Sequence, residues 1–356
     1  MEKVKVAVIG CGVVGSGYHI PSYIANNDCE IVTFCDIIPE RAEAMVEKYG
    51  VGKATSDYHE IVNDPTIEAV SVCTPNNTHS TISIDLLRAG KDVLCEKPTA
   101  RNLEEALLMQ EACHRSGKVL NIGVVNRFDD SVRRIKALID AGELGEIYQV
   151  YCSFRGHRMI PGLGGAYTTK QIAGGGVLID WGVHFLDLIM YCCGDPEPKA
   201  VFGHIHNKMG HDIKNYTYID MWAGPPDNNG VYDVEDFVTA IIKTKGPVFT
   251  INGAWAQNIG ADELFIDFLG DKAGIRMQYR IKERHSFILY SAVNGALLET
   301  IYDFNTVDKF QNEIDAFVRC VRTGEKLPSH IDNATITARM LQAIYDSSEK
   351  GKEIVL

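Results

Sequence analysis

Between residues 3 and 123 the chain alternates short, uniformly apolar runs with helical segments, and this rhythm restricts its fold more than any other feature. Val4–Ile9, Glu30–Cys35, Glu68–Cys73, Asp92–Cys95 and Val119–Gly123 read as strands buried on both faces, being short, β-branched and without polar alternation. Helical stretches lie between them. Asn102, with Glu105 three residues on, opens one such stretch as a capping box would, and Leu103, Ala106, Leu107 and Cys113 form its inward stripe. Pro21 is expected to shorten or kink the first helix. Strand–helix alternation on this scale implies βαβ units and an α/β, doubly wound parallel sheet. After residue 124 the rhythm changes. A helix over Ser131–Ala141, a strand over Ile147–Phe154, a glycine-rich loop over 161–176 and a helix over Gly182–Cys192 are followed by strand-like segments at Ala200–His206, Phe237–Lys243, Val248–Trp255, Leu264–Leu269 and Phe287–Tyr290. Without long helices between them, these predict a C-terminal α+β domain with a large, mostly antiparallel open sheet. Helices over Lys309–Arg322 and Asn333–Glu349 close the chain. The expected organisation is one domain over 1–123 and a second over 124–356, with the last helix, about 333–349, packing back on the first.

At 356 residues two domains are the default. A formal net charge of -12 argues against nucleic acid or an anionic membrane as a partner, since both reward a basic surface. The ten cysteines are scattered, several inside apolar runs, and none forms a C-x-x-C pair. That pattern predicts reduced, mostly buried thiols rather than a disulfide framework. The first strand begins at about Lys3, which leaves no room for a signal peptide, and Asp180, His184 and Asp187 interrupt the most apolar stretch. The expected compartment is the cytoplasm.

Gly10-Cys11-Gly12-Val13-Val14-Gly15 matches G-x-G-x-x-G directly after the first strand and at the opening of a helix. In that setting Gly10 permits the tight turn, Gly12 lets a pyrophosphate approach the backbone N–H groups, and Gly15 allows close packing. Asp36 ends the second strand about twenty residues after the last glycine, where a carboxylate accepts from adenosine ribose hydroxyls and repels a 2′-phosphate. The expected cofactor is therefore NAD rather than NADP, with Arg41 as the side chain that would serve a phosphate.

Two further groups carry chemistry. Glu96-Lys97-Pro98 follows the strand Asp92–Cys95, at the end of the sheet where ligands gather, and the proline raises the chance of a cis bond. Gly174–His184, continuing to Asp187, sets Asp180, His184 and Asp187 along one face of an apolar helix. A carboxylate and an imidazole one turn apart in such a segment are costly unless used. Oxidation of a secondary alcohol requires a hydride acceptor and a base for the hydroxyl proton, and histidine suits the second role. The blander alternative is a helix-capping Asp beside a core His.

With these residues assembled, the chain resembles the glucose–fructose oxidoreductase / inositol dehydrogenase / rhizopine-catabolism (Gfo/Idh/MocA) family. The resemblance runs from the N-terminal glycines through Thr74-Pro75-Asn76-Asn77-Thr78-His79, Cys95-Glu96-Lys97-Pro98 and Asn126-Arg127-Phe128 to Gly174–Asp187. It implies a Rossmann domain in which Thr74, Pro75, Asn76 and His79 lie along the cofactor, with Glu96 and Asn126 near its nicotinamide half. It also implies that Lys97, Asp180 and His184 contact the reacting hydroxyl. His184 would then be the general acid/base, Asp180 an orienting group and Lys97 the group that polarises the alcohol. Substrates in the family are mostly cyclic polyols, sugars, glycosides and sugar nucleotides. The glycine-rich loop before Gly174 resembles that of glycoside- or inositol-oxidising members, which points to a ring carbon such as C3. Arg155 and Tyr167 are the expected substrate contacts. His204, His206 and His211 lack a zinc-spaced partner motif and read as edge-strand histidines, so no metal is expected. Two alternatives remain: cleavage of a glycoside by transient oxidation and elimination on NAD, and a non-catalytic NAD sensor. A free sheet face further implies a homodimer or homotetramer.

Overall fold

The computed structural model describes residues 2–279, 286–304 and 308–356. The chain divides into two compact units, one of Met1–Phe128 with Asp308–Thr335 and one of Asp129–Val307 with Ile336–Leu356.

The first unit opens with β1 (Val4–Ile9), α1 (Ile20–Ala25), β2 (Cys29–Cys35), α2 (Pro39–Tyr49), β3 (Lys53–Thr55), α3 (His59–Asn63), β4 (Ala69–Val72), α4 (Asn76–Arg88), β5 (Asp92–Glu96), α5 (Leu103–Ser116) and β6 (Leu120–Gly123). The strands form a parallel sheet in the order β3-β2-β1-β4-β5-β6. Strand order reverses between β1 and β4, the place where an open α/β sheet presents a crevice at its carboxyl ends. β4, β5 and β6 are buried at every position, as their unbroken apolar runs require. The edge strand β3 has three residues, two of them exposed, so it carries no apolar signature. Pro21 leaves its mark as a π-turn over Gly15–His19 just ahead of it. The proline ring crowds a carbonyl one turn back, and the helix widens there rather than ending.

The second unit begins with α6 (Asp130–Asp140), β7 (Ile147–Arg155), α7 (Lys170–Ala173) and α8 (Val183–Cys192). Strands β8 (Pro198–His206), β9 (Phe237–Thr244), β10 (Val248–Ala254), β11 (Glu263–Gly270), β12 (Ala273–Gln278), β13 (Ser286–Val293) and β14 (Ala296–Asp303) follow. Then come α9 (Lys309–Thr323), α10 (Ile331–Lys350) and β15 (Ile354–Val355). The nine strands of this unit run in the order β14-β13-β12-β11-β7-β10-β9-β8-β15, antiparallel except where β7 meets β10. One core unites β7, β10 and β11 (Val150, Cys152, Phe154, Ile251, Ile266, Phe268) with α6 (Val132, Ile135), α8 (Leu186, Ile189) and α10 (Met340, Ile344).

Two expectations need correcting. The segment that returns to the first unit is Asp308–Thr335, not a helix over 333–349. The reason is apolar complementarity: α9 places Ile314, Phe317 and Val318 in the core of Val6, Val8, Phe34 and Leu94, whereas α10 gives Met340, Leu341 and Ile344 to the core of the second unit. The helical run Lys170–Cys192 is also long and apolar enough to cross a membrane, despite Asp180, His184 and Asp187. It is a core helix, with 72% of its most apolar 18-residue window buried inside the protein. All ten cysteines are free, and eight are buried. Burial pushes the thiols of Cys11, Cys29 and Cys35 up to about 12, so they are inert near neutrality.

Candidate active site

In the first unit the glycine turn and Asp36 form one piece of structure. Gly10 has φ +97, and a Cβ there would lie 2.4 Å from the Cys73 carbonyl oxygen; a Cβ on Gly15 would lie 2.0 Å from that of Gly10. A Cβ on Gly12 would meet nothing within 4 Å. The turn therefore packs tightly on itself and leaves open space at the position where a pyrophosphate would approach. Asp36, 6% exposed, accepts from Cys11 N at 2.8 Å through Oδ2 and from Ile38 N at 2.9 Å through Oδ1. Two carboxylate oxygens can take about four hydrogen bonds, so acceptor capacity remains for ribose hydroxyls. Val13 (66% exposed) and Ile37 (87% exposed) present apolar surface next to this turn and to Asp36. Arg41 Nη1 lies 4.0 Å from Asp36 Oδ1 and is half exposed. These residues fit a dinucleotide.

The next two strand ends carry Thr74 and Glu96-Lys97-Pro98. The Lys97–Pro98 bond is cis. Glu96 is buried, and its Oε2 accepts from the Lys97 backbone N–H at 3.1 Å. His79 is fully buried, with Nδ1 2.8 Å from the Pro98 carbonyl oxygen and Nε2 2.8 Å from that of Thr74. Both ring nitrogens thus face acceptors, which favours the imidazolium. Burial opposes that charge, but Cys95 and the two carbonyls outweigh it and raise the group to about 9. His79 therefore braces Thr74 against Pro98 rather than presenting a free nitrogen. Thr78 Oγ1 donates to Thr74 Oγ1 at 2.7 Å, and Pro75 caps α4, which starts at Asn76. Asn126 is buried, and its Oδ1 accepts from Lys309 Nζ at 2.9 Å.

In the second unit the glycines of 174–176 let the chain enter a helix against another loop. A Cβ on Gly176 would fall 1.8 Å from the Glu235 carbonyl oxygen. Glu235 is the cap of the helical run: its carboxylate accepts from Gly176 N (2.9 Å), Leu178 N (3.0 Å) and Tyr345 Oη (2.8 Å). Burial pushes this carboxyl up, while the N–H groups and the tyrosine pull it back. A π-turn over Leu178–Gly182 follows, of the kind that often marks functional sites. Asp180 sits in that turn, 8% exposed, with Oδ2 accepting from Trp255 Nε1 at 3.2 Å. Trp255 is fully buried. His184, in the first turn of α8, is half-buried, and Asp187 is buried one turn further on.

The two expected substrate contacts differ. Arg155 forms an ion pair with Glu263, its neighbour across β7 and β11, so its charge is engaged within the sheet. Arg158 is likewise taken up by the carbonyl oxygens of His157 and Gln257. Tyr167 lies edge-on to Trp222, ring centroids 5.0 Å apart, and Trp222 is 53% exposed. His204 and His206 stack edge to face at 4.4 Å on an exposed strand face. The closest grouping of ligand-type side chains among the described residues is His19, Glu96 and Glu313, within 4.8 Å of one another. Sequence reasoning passed over His19, Glu313, Glu235, Trp255 and Trp222.

The profile of an oxidoreductase family with an NAD-binding Rossmann fold matches residues 4–124, and that of the GFO/IDH/MocA C-terminal domain matches 132–276. The D-glucoside 3-dehydrogenase of Escherichia coli (strain K12) is 30% identical, covering 100% of this chain and 98% of that protein. The chain belongs to the Gfo/Idh/MocA family. It is therefore an NAD(P)-dependent oxidoreductase, with an NAD-binding Rossmann domain over residues 4–124. Another family relative, the scyllo-inositol 2-dehydrogenase (NAD(+)) of Bacillus subtilis (strain 168), is 28% identical over 100% of this chain and 97% of its own length. The fold of this Gfo/Idh/MocA chain matches a levoglucosan dehydrogenase solved with NADH and levoglucosan, with a TM-score of 0.86, 22% identity and 99% of both chains covered.

Proposed function

We propose that this oxidoreductase transfers hydride between NAD and a secondary ring hydroxyl, or its ketone, of a cyclic polyol, sugar or glycoside. The observation that carries this reading is Asp180: a buried carboxylate fixed by Trp255 in a π-turn, one turn ahead of His184. Such a carboxylate can orient a hydroxyl, and the neighbouring imidazole can take the hydroxyl proton. NAD, when bound, supplies the hydride acceptor. His184 acts as the general base for oxidation and the general acid for reduction. Lys97, set at the carboxyl end of β5 by the Glu96 carboxylate, polarises the substrate oxygen. Thr74, Pro75, Asn76, His79 and Asn126 flank the cofactor, His79 and Asn126 acting by bracing it from buried positions.

The names of the relatives support a ring substrate, since they place oxidation at C3 of a glucoside and C2 of an inositol. C3 of a glycoside is the finer assignment. Tyr167 with Trp222 supplies an aromatic surface for the sugar, a more suitable contact than Arg155, whose charge Glu263 already holds. The proposed compartment is the cytoplasm, and the proposed assembly a homodimer or homotetramer. Phe202 and Ile241 face each other on β8 and β9 with 53% of each exposed, an apolar sheet face suited to burial against a second copy.

The test is reduced-nicotinamide absorbance with NAD against inositols, free sugars and glycosides. Activity is expected with one of these classes. Lys97→Ala and His184→Ala are each expected to cut turnover by about 10²–10⁴-fold while leaving NAD binding intact. Near-normal turnover in either variant removes that residue from the mechanism. Free aglycone without net NADH would instead indicate elimination.

A further inference from the structure

We infer that His19 is a positioning residue for Lys97. The inference rests on the role proposed for Lys97 above. His19 ends the π-turn over Gly15–His19 that leaves the glycine loop, and it is fully buried. Its Nε2 lies 2.8 Å from Glu96 Oε1, and its Nδ1 lies 3.1 Å from Ser71 Oγ on β4. Ser71 Oγ is in turn 2.8 Å from Tyr23 Oη. The other Glu96 oxygen holds the Lys97 backbone N–H.

One assignment of protons satisfies every member. Tyr23 donates to Ser71, Ser71 donates to Nδ1, and Nε2–H donates to Glu96 Oε1, while Glu96 Oε2 accepts from the Lys97 backbone N–H. Burial pushes the Tyr23 hydroxyl well up, in keeping with its place as the terminal donor. The string crosses the sheet from α1 through β4 to the end of β5, all within the first unit. Room for it is built in: a Cβ on Gly123, the neighbour of Glu96 on β6, would lie 2.8 Å from Glu96 Oε1.

A core built for stability alone would fill this place with apolar side chains, because each buried polar group carries a desolvation cost. What the polar string provides is direction. Removing His19 would free the Glu96 carboxylate to rotate and release the peptide on which Lys97 is mounted. A displacement of about 1 Å in a reacting group can cost about 100-fold in rate. Because His19 follows Gly15 on the same helical run, the string also joins the cofactor-binding turn to the lysine.

The decisive experiment is a double-mutant cycle on the full chain with NAD and whichever inositol, sugar or glycoside the absorbance test identifies, crossing His19→Leu with Lys97→Ala. Turnover, substrate KM, NAD Kd and Tm are measured for each protein. His19→Leu is expected to lower kcat about tenfold or more, with KM and Kd changed by less than about twofold. In the Lys97→Ala background the same substitution should alter the residual rate by less than about twofold. His19→Gln, whose amide can still donate to Glu96, should recover much of the loss. If His19→Leu does not fold, Ser71→Ala carries the same cycle with a smaller loss that again disappears without Lys97. An equal loss in both backgrounds, or kcat within about twofold of the parent, overturns the inference while leaving the role of Lys97 standing. Near-normal turnover in Lys97→Ala alone overturns the role of Lys97 itself.

Discussion

Asp36 serves two purposes at once. It ties the glycine turn through Cys11 N and keeps acceptor capacity beside exposed Ile37. Asp36→Ala should therefore weaken NAD more than NADP. The loss of charge-assisted bonds is worth about 1.5–3 kcal/mol, roughly 10–100-fold in the ratio of the two dissociation constants. Fluorescence titration with both cofactors measures that ratio, and an unchanged ratio would sink the reading of Asp36. The ratio is the proper readout because the substitution also strips Cys11 N of its acceptor. At this scale, legibility in the sequence depended on whether a residue's meaning is local. Gly10, Gly12, Gly15 and Asp36 were readable because their spacing along a strand–turn–helix is itself the signal. His19 and Glu235 were not, because their partners lie far along the chain: His19 and Glu96 are 77 residues apart, Glu235 and Tyr345 110. Arg155 shows the same limit, since its cation is visible in the sequence while its partner Glu263, 108 residues away, is not.

Among the elements, the helical run that carries Asp180 and His184 owes its start to Glu235 rather than to its own sequence. Glu235→Ala would leave Gly176 N–H, Leu178 N–H and the Tyr345 hydroxyl without their acceptor. Each buried group so stranded costs about 1–3 kcal/mol. The expected outcome is a Tm lower by about 5–10 °C in calorimetry, with a fall in kcat; a Tm and kcat equal to the parent's would show that the cap is dispensable. Long buried strands and amphipathic helices were legible as elements because burial imposes their periodicity. β3 was not, being short and exposed at an edge. β14 was missed despite a signal: Asn294-Gly295, both at positive φ (53 and 81), makes the two-residue hairpin that pairs Val293 with Ala296. Its strand is exposed at nearly every position, so no apolar alternation accompanied the turn.

For the molecule as a whole, His79 links stability to pH. Its imidazole is raised to about 9 in the folded protein, against about 6.5 in an unfolded chain. A group raised in this way favours the folded state fully below the unfolded value, and that contribution disappears as pH rises through the folded one. Tm measured from pH 6 to 10 should therefore fall across that interval, and the fall should be smaller in His79→Gln. Parallel profiles for the two proteins would show that His79 does not carry the charge. The interleaving of the two units has a further consequence for how the protein is made. The core of the first unit is finished by Ile314, Phe317 and Val318, and residue 128 leaves the ribosome roughly 200 codons before that unit's last residues do. At about 5–20 residues per second, this gap lasts on the order of 10–40 s. Throughout it the nascent chain carries an uncovered apolar sheet face while the second unit is still being made. A cell making this enzyme has to shield that face until Asp308–Thr335 has been made.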